Sequence, residues 1–136
     1  MRRKLPVVVA GMALVLAGTG ASLSAHHSFA AEFDATKPVL FKGTVTKMEW
    51  INPHVWIYMD VTQPNGKTEN WMVEGGAPTV LFRRGFTKTA LQAGTQVVVD
   101  GYRAKDGSNK MNAREITLSD GRKLFAGSSG TGAPTQ

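Results

Sequence analysis

The 136-residue chain contains no cysteine. This absence excludes disulfide bonds, metal sites built on thiolates, and catalysis by a thiol nucleophile. The chain also lacks an apolar run of membrane-spanning length. Its longest one, Leu5 to Gly18, has about 14 residues, whereas a spanning helix needs about 20. The sequence therefore predicts no stable membrane insertion of the mature protein.

The excess of positive charge is also small. The chain has 16 basic and 10 acidic residues, for a net charge of +6. Three of the basic residues, Arg2, Arg3 and Lys4, precede the apolar run. Without them the balance is 13 − 10 = +3, which concerns solubility and does not indicate a polyanionic partner. The sequence predicts no nucleic-acid partner.

The first residues have the three parts of a secretory signal peptide: a positive segment, an apolar segment, and small residues ending at Ala25. Cleavage near Ala25 is expected, with Ala21 as the alternative. The protein is then periplasmic or secreted. Residues 1–25 are interpreted as the signal peptide and residues 26–125 as one domain with an N-terminal extension. Residues 126–136, rich in Gly, Ser and Thr, are interpreted as a disordered tail.

Alternating apolar and polar residues predict five strands and a short sixth extended segment. A Pro-Asn-Gly sequence predicts a hairpin turn after the second strand, and a change of parity near Lys47 predicts a bulge in the first. Pro78 starts a short helix that Gly85 ends. The strands are expected at Val39–Trp50, Val55–Thr62, Lys67–Glu74, Thr95–Tyr102 and Met111–Leu118, with the extended segment at Arg122–Phe125.

This order of elements predicts an all-β domain with one short helix. Three strands, a helix and two further strands occur in that order in the OB-fold, a small five-stranded Greek-key barrel. An OB-fold-like barrel is therefore expected. An SH3-like barrel or a small sandwich is the alternative, since patterning does not decide how the sheet closes.

Five segments of the sequence are distinctive: His26–Asp34 (HHSFAAEFD), Glu49–Trp56 (EWINPHVW), Val73–Gly76 (VEGG), Arg83–Gly85 (RRG) and Gly101–Ser108 (GYRAKDGS). Together they resemble a family of small exported bacterial proteins of unknown function. The resemblance implies export and a small β-barrel, and it implies no activity.

The three histidines, His26, His27 and His54, are the candidate metal ligands. Cleavage after Ala25 makes His26 the N-terminal residue, which chelates a metal through its α-amine and its Nδ1 together. His54 or His27 then adds a further imidazole. Such a planar set of nitrogens favours Cu(II) over other divalent metals, and Cu(II) is the one cofactor that the residues suggest. Solvated histidines without a metal are the alternative.

Aromatic residues and the turn before them form a second candidate site. Asn52 and His54 lie in the turn, and Trp56, Tyr58 and Trp71 are expected to offer an exposed surface to a ligand. Alternatively, the aromatic side chains pack beneath the N-terminal segment that carries Phe29 and Phe33.

No nucleophile elbow, metal-hydrolase motif or phosphate-binding loop is present in the sequence. The leading interpretation is therefore a non-catalytic, exported binding or accessory module for an unknown periplasmic ligand or protein. The alternative is a periplasmic copper-binding protein that uses the mature N-terminal histidine with a second histidine.

Overall fold

The structure, a computed structural model, describes residues 29–127. The predicted signal peptide, His26, His27 and residues 128–136 lie outside the described residues. No helix within residues 29–127 is both long enough and apolar enough to cross a membrane. The elements are β1 (Phe33–Glu49), β2 (Trp56–Thr62), β3 (Thr68–Glu74), α1 (Pro78–Arg83), β4 (Gln96–Ala104), β5 (Lys110–Leu118) and β6 (Lys123–Phe125).

Five of these strands form a closed ring. Strands pair antiparallel in the order β3-β2-β1-β4-β5, and a parallel pairing of β3 with β5 closes the ring. The sixth strand, β6, pairs with β5 outside the ring. The predicted all-β class with one short helix between the third and fourth strands is confirmed, and the five predicted strands are those that make the ring.

The core fills the inside of the ring because each strand turns every second side chain inward. On β2 the buried residues are Ile57, Met59 and Val61, whereas Trp56 and Tyr58 between them are half-buried on the outer face. The hairpin after β2 turns at Gly66, whose φ of 82° favours glycine. This turn pairs Met59 with Trp71, so Trp71 also points inward.

The long strand β1 pairs with two neighbouring strands. Its residues up to Thr44 pair with β4, and its residues from Thr44 onward pair with β2, with a register shift between Val45 and Lys47. The predicted bulge near Lys47 is therefore confirmed. Gly43 lies just before it, where a Cβ atom would stand 2.6 Å from the Asp60 carbonyl oxygen.

The N-terminal extension is part of the folded domain. Residues 29–32 are helical, and β1 begins at Phe33, before the expected start at Val39, because Phe33 pairs with Ala104 of β4. The Phe29 ring lies 5.5 Å from the Tyr102 ring and 5.7 Å from the Phe33 ring, measured between centroids. Phe29 and Phe33 thus cover Tyr102.

The C-terminal boundary also differs from the expectation. The Ala126 side chain is fully buried, its N–H donates to the Arg114 carbonyl at 3.0 Å, and its carbonyl accepts from Gly76 at 2.8 Å. Ala126 therefore belongs to the domain, and the prediction that a disordered tail starts there is wrong. These hydrogen bonds extend the edge of β6 beyond Phe125.

Gly101 allows β4 and β5 to approach closely. A Cβ atom there would stand 2.0 Å from the Asn112 carbonyl oxygen, at the register shift between Asp100 and Gly101. Gly101→Ala is expected to lower the free energy of unfolding by about 1–3 kcal/mol, since the strands must separate. Urea denaturation measures this change. Gly75→Ala is the control, because its Cβ would meet nothing nearer than 3.4 Å; equal losses in both variants would contradict the prediction.

Candidate functional site

The aromatic residues of the predicted surface lie on two different sides of the ring. Trp56 and Tyr58 lie half-buried on the outer face of β2, next to the exposed Asn52 turn. Trp71 is only 1% exposed and lies inside the ring. The prediction that Trp71 shares an exposed surface with Trp56 and Tyr58 is therefore wrong, since Trp71 pairs with the inward-facing Met59.

Backbone hydrogen bonds hold His54 beside the end of β3. The Val55 N–H donates to the Gly76 carbonyl at 3.0 Å, and the Gly75 N–H donates to the Val55 carbonyl at 2.8 Å. The Nδ1 atom of His54 lies 3.0 Å from the Gly75 carbonyl oxygen. A carbonyl oxygen only accepts hydrogen bonds, so Nδ1 carries the proton. In a neutral His54 ring, Nε2 then keeps its lone pair.

A buried carboxylate adjoins this histidine. The Oε1 atom of Glu74 lies 3.6 Å from His54 Nδ1 and 3.4 Å from the Asn112 Nδ2 atom, which donates to it. Asn112 is the β5 residue paired with Glu74 in the parallel register. Glu74 is 7% exposed although it points away from the core. We call His54, Glu74 and Asn112 the Glu74 cluster.

Reasoning from the sequence did not select this cluster as a site. The strand pattern places Glu74 on the outer face, where a carboxylate normally meets solvent. The segment before β1 contributes a charge near this carboxyl, since Glu32 is among the groups that affect the Glu74 pKa. Lys110, on β5, donates to Glu32 of that segment at 2.8 Å. The Glu-Gly-Gly sequence of Glu74–Gly76 was the only local signal.

Burial raises the pKa of the Glu74 carboxyl above its ordinary value. The neighbouring charges act in both directions: His54 and Lys110 lower this pKa, whereas Glu32 raises it. The effect of burial is the largest. Asn112 Oδ1 is buried without a hydrogen-bond partner. If the Asn112 amide turned over, a protonated Glu74 would donate to that oxygen, so the cluster suits a carboxyl that binds a proton.

Residues 29–127 contain no complete set of metal ligands. Within residues 29–127, no group of three or more His, Asp or Glu side chains is placed to hold a metal ion. His54 and Glu74 form a pair. The other two candidate ligands, His26 and His27, precede the first described residue.

Comparison with protein families gives one match. DUF6152, a family of unknown function, matches residues 13–113. The chain belongs to this family. The match includes all three members of the Glu74 cluster, and it confirms the expected membership of an uncharacterised family. Comparisons with curated proteins and with solved structures find no match.

The raised pKa of Glu74 predicts how stability varies with pH. The folded state holds the Glu74 proton more tightly than the unfolded state does, whose carboxyl titrates near 4.5. This contribution to stability is full below pH 4.5 and is lost as the pH rises through the higher folded pKa. Glu74→Gln removes it while keeping a polar side chain. We therefore expect the melting temperature of Glu74→Gln, relative to the wild type, to increase between pH 4.5 and pH 7.5, as measured by circular dichroism. Parallel curves would contradict this expectation.

Proposed function

We propose that the protein is an exported, non-catalytic binding module whose ligand is a copper(II) ion held by His54 and the mature N-terminal His26. The observation that carries the proposal is the hydrogen bond between His54 Nδ1 and the Gly75 carbonyl oxygen, at 3.0 Å. Histidines that bind metals usually donate their other ring N–H to a carbonyl or a carboxylate, which fixes the tautomer and the ring orientation. His54 has both acceptors beside it, in Gly75 and Glu74.

The ligand set follows from the chemistry of the residues. Cleavage after Ala25 would give His26 a free α-amine, which binds a metal together with its own Nδ1. The Nε2 atom of His54 would supply a third nitrogen, and His27 is the alternative source of an imidazole. Cu(II) prefers such a tetragonal arrangement of nitrogen ligands.

The position of the N-terminal extension is compatible with this set. Phe29 packs on Tyr102 of β4, and two strand spacings, about 10 Å, lead from β4 through β5 to Glu74 on β3. Three residues of chain, which span at most about 10 Å, lead from Phe29 back to His26. The length of the chain therefore permits His26 to meet His54.

Glu74 would assist such a site from outside the ligand set. A carboxylate near the Nδ1–H of a ligating histidine makes the imidazole a stronger donor and offsets part of the charge of the ion. The bound cation would in turn favour the ionised carboxylate, opposing the raised pKa that burial gives Glu74. Copper binding should therefore weaken as the pH falls and Glu74 takes up a proton.

A ligand on Trp56 and Tyr58 is the competing interpretation. Tyr58 is already engaged, since its hydroxyl donates to Glu49 at 3.1 Å and the Lys47 ammonium lies 5.3 Å from its ring centroid. Less of this ring remains available for stacking on a ligand. The contacts favour the histidine site over the aromatic surface.

The test uses protein exported with its own first 25 residues, with its N-terminus sequenced, and titrated with Cu(II) while EPR spectra are recorded. We expect the sequence to start at His26 and one ion to bind with nitrogen hyperfine structure. His54→Gln keeps a donor for the Gly75 carbonyl but lacks an imidazole, so it should weaken binding by about a hundredfold. One alanine inserted before His26 should do the same.

Trp56→Ala is the matched control, because it removes a neighbour of Glu74 on the same face without removing a nitrogen ligand. Its copper affinity should stay close to that of the wild type. A different N-terminus would overturn the copper proposal, and so would equal affinity in the wild type and His54→Gln. Loss of binding only in Trp56→Ala would favour the aromatic surface.

A further inference from the structure

A pocket of about 430 Å³ opens at the end of the ring where the β2–β3 hairpin lies. We call it the Trp71 pocket. Phe41 and Trp71 form an aromatic wall, with ring centroids 4.4 Å apart and planes inclined at 46°. The volume lies within the range of pockets that hold small organic ligands. The remaining lining residues are Gln63, Pro64, Asn65, Glu69, Arg103 and Asn109.

Two hydrogen-bond donors of this pocket lack acceptors. Trp71 Nε1 and Arg103 Nε are both buried, and neither has a hydrogen-bond partner within the described chain. An unpaired buried donor destabilises the folded state. Both side chains line the same cavity, although the two unpaired nitrogen atoms are themselves covered.

Among residues 29–127, the guanidinium of Arg103 also has no ion-pair partner. Its Cζ atom lies 5.2 Å from the centroid of the Trp71 ring. The ion pairs within residues 29–127 do not include Arg103. An arginine stacked on an aromatic ring is held in a fixed orientation, and its planar fork of N–H groups matches a carboxylate.

We propose that the Trp71 pocket binds a small organic monocarboxylate that carries a flat apolar group. The carboxylate pairs with Arg103, and the apolar group packs against Phe41. The binding site is separate from the Glu74 cluster, since Trp71 and Glu74 point to opposite faces of β3. The proposal is therefore independent of copper binding.

Glu69 sets the charge that the pocket accepts. Its side chain lines the same cavity, where it repels a second negative charge on the ligand. The single negative charge of a monocarboxylate pairs with Arg103. The second carboxylate of a dicarboxylate would be repelled by Glu69. Removal of the Glu69 charge should therefore strengthen the binding of a monocarboxylate.

Phenylacetate is a suitable probe, and phenylacetamide is its uncharged counterpart. The three tryptophans give three indole N–H signals in a ¹⁵N–¹H spectrum, and Trp50→Phe and Trp56→Phe identify the Trp71 signal by elimination. We expect phenylacetate to shift the Trp71 signal in a saturable manner, because the ligand enters a pocket that Trp71 lines. Phenylacetamide should bind about tenfold or more weakly, since it lacks the charge-assisted pair.

Variants separate the local charge from the net charge. Arg103→Gln should weaken phenylacetate binding by about tenfold or more, whereas Glu69→Gln should strengthen it by about twofold to threefold. Arg122→Gln is the control: it removes the same charge from an exposed arginine that is paired with Asp120, and it should leave the affinity unchanged.

Three results would overturn the proposal. The first is the absence of any Trp71 shift with phenylacetate up to about 20 mM, which is weaker binding than a charge-assisted pair should give. The second is equal binding of phenylacetate and phenylacetamide. The third is an affinity that falls equally in Arg103→Gln and Arg122→Gln, which would show that only the net charge matters. Each is distinguishable from failure of the copper site, because no metal is present in this experiment.

Discussion

Three residue pairs, Met72–Lys110, Val73–Met111 and Glu74–Asn112, join β3 to β5 in parallel and close the ring. The middle pair points inward, and both of its side chains are fully buried. Without this pairing, the six strands would form an open sheet with β3 and β6 at its edges, and the inner face would meet water. The core of this small, cysteine-free domain therefore depends on a long-range parallel contact.

The same closure of the ring buries polar side chains. The Glu74–Asn112 pair lies on the outer side of this parallel pairing, and both side chains are buried there. At Gly101, β4 approaches β5 so closely that the Asn112 carbonyl oxygen leaves no room for a Cβ atom. A carboxylate in this position needs neighbours of opposite charge, and His54 and Lys110 supply them only in part, because burial still dominates its pKa.

Local patterns predicted the strands, the helix and the bulge, because alternation and turn residues act within a few positions. The inward position of Trp71 also follows from a local feature, because the four-residue turn Gln63–Gly66 sets which residues of β3 face the core. The burial of Glu74 and the early start of β1 at Phe33 were not predictable in this way. The early start depends on pairing with β4 about 70 residues further along the chain, and Glu74 is buried beside Asn112, which is 38 residues away on β5.

The unpaired polar atoms are concentrated near the pairing of β3 with β5. Trp71 Nε1, Asn112 Oδ1 and Arg103 Nε lie on β3, β5 and β4, the strand that follows β5 around the ring. A domain whose net stability is about 5–15 kcal/mol retains few such costs without a compensating role. Their concentration on three neighbouring strands, together with a buried carboxyl whose pKa is raised, is the reason that both proposed sites involve this side of the ring. Because alternate residues of β3 face opposite sides, one strand would contribute both to the proposed inner pocket for an organic anion and to the proposed outer site for a cation.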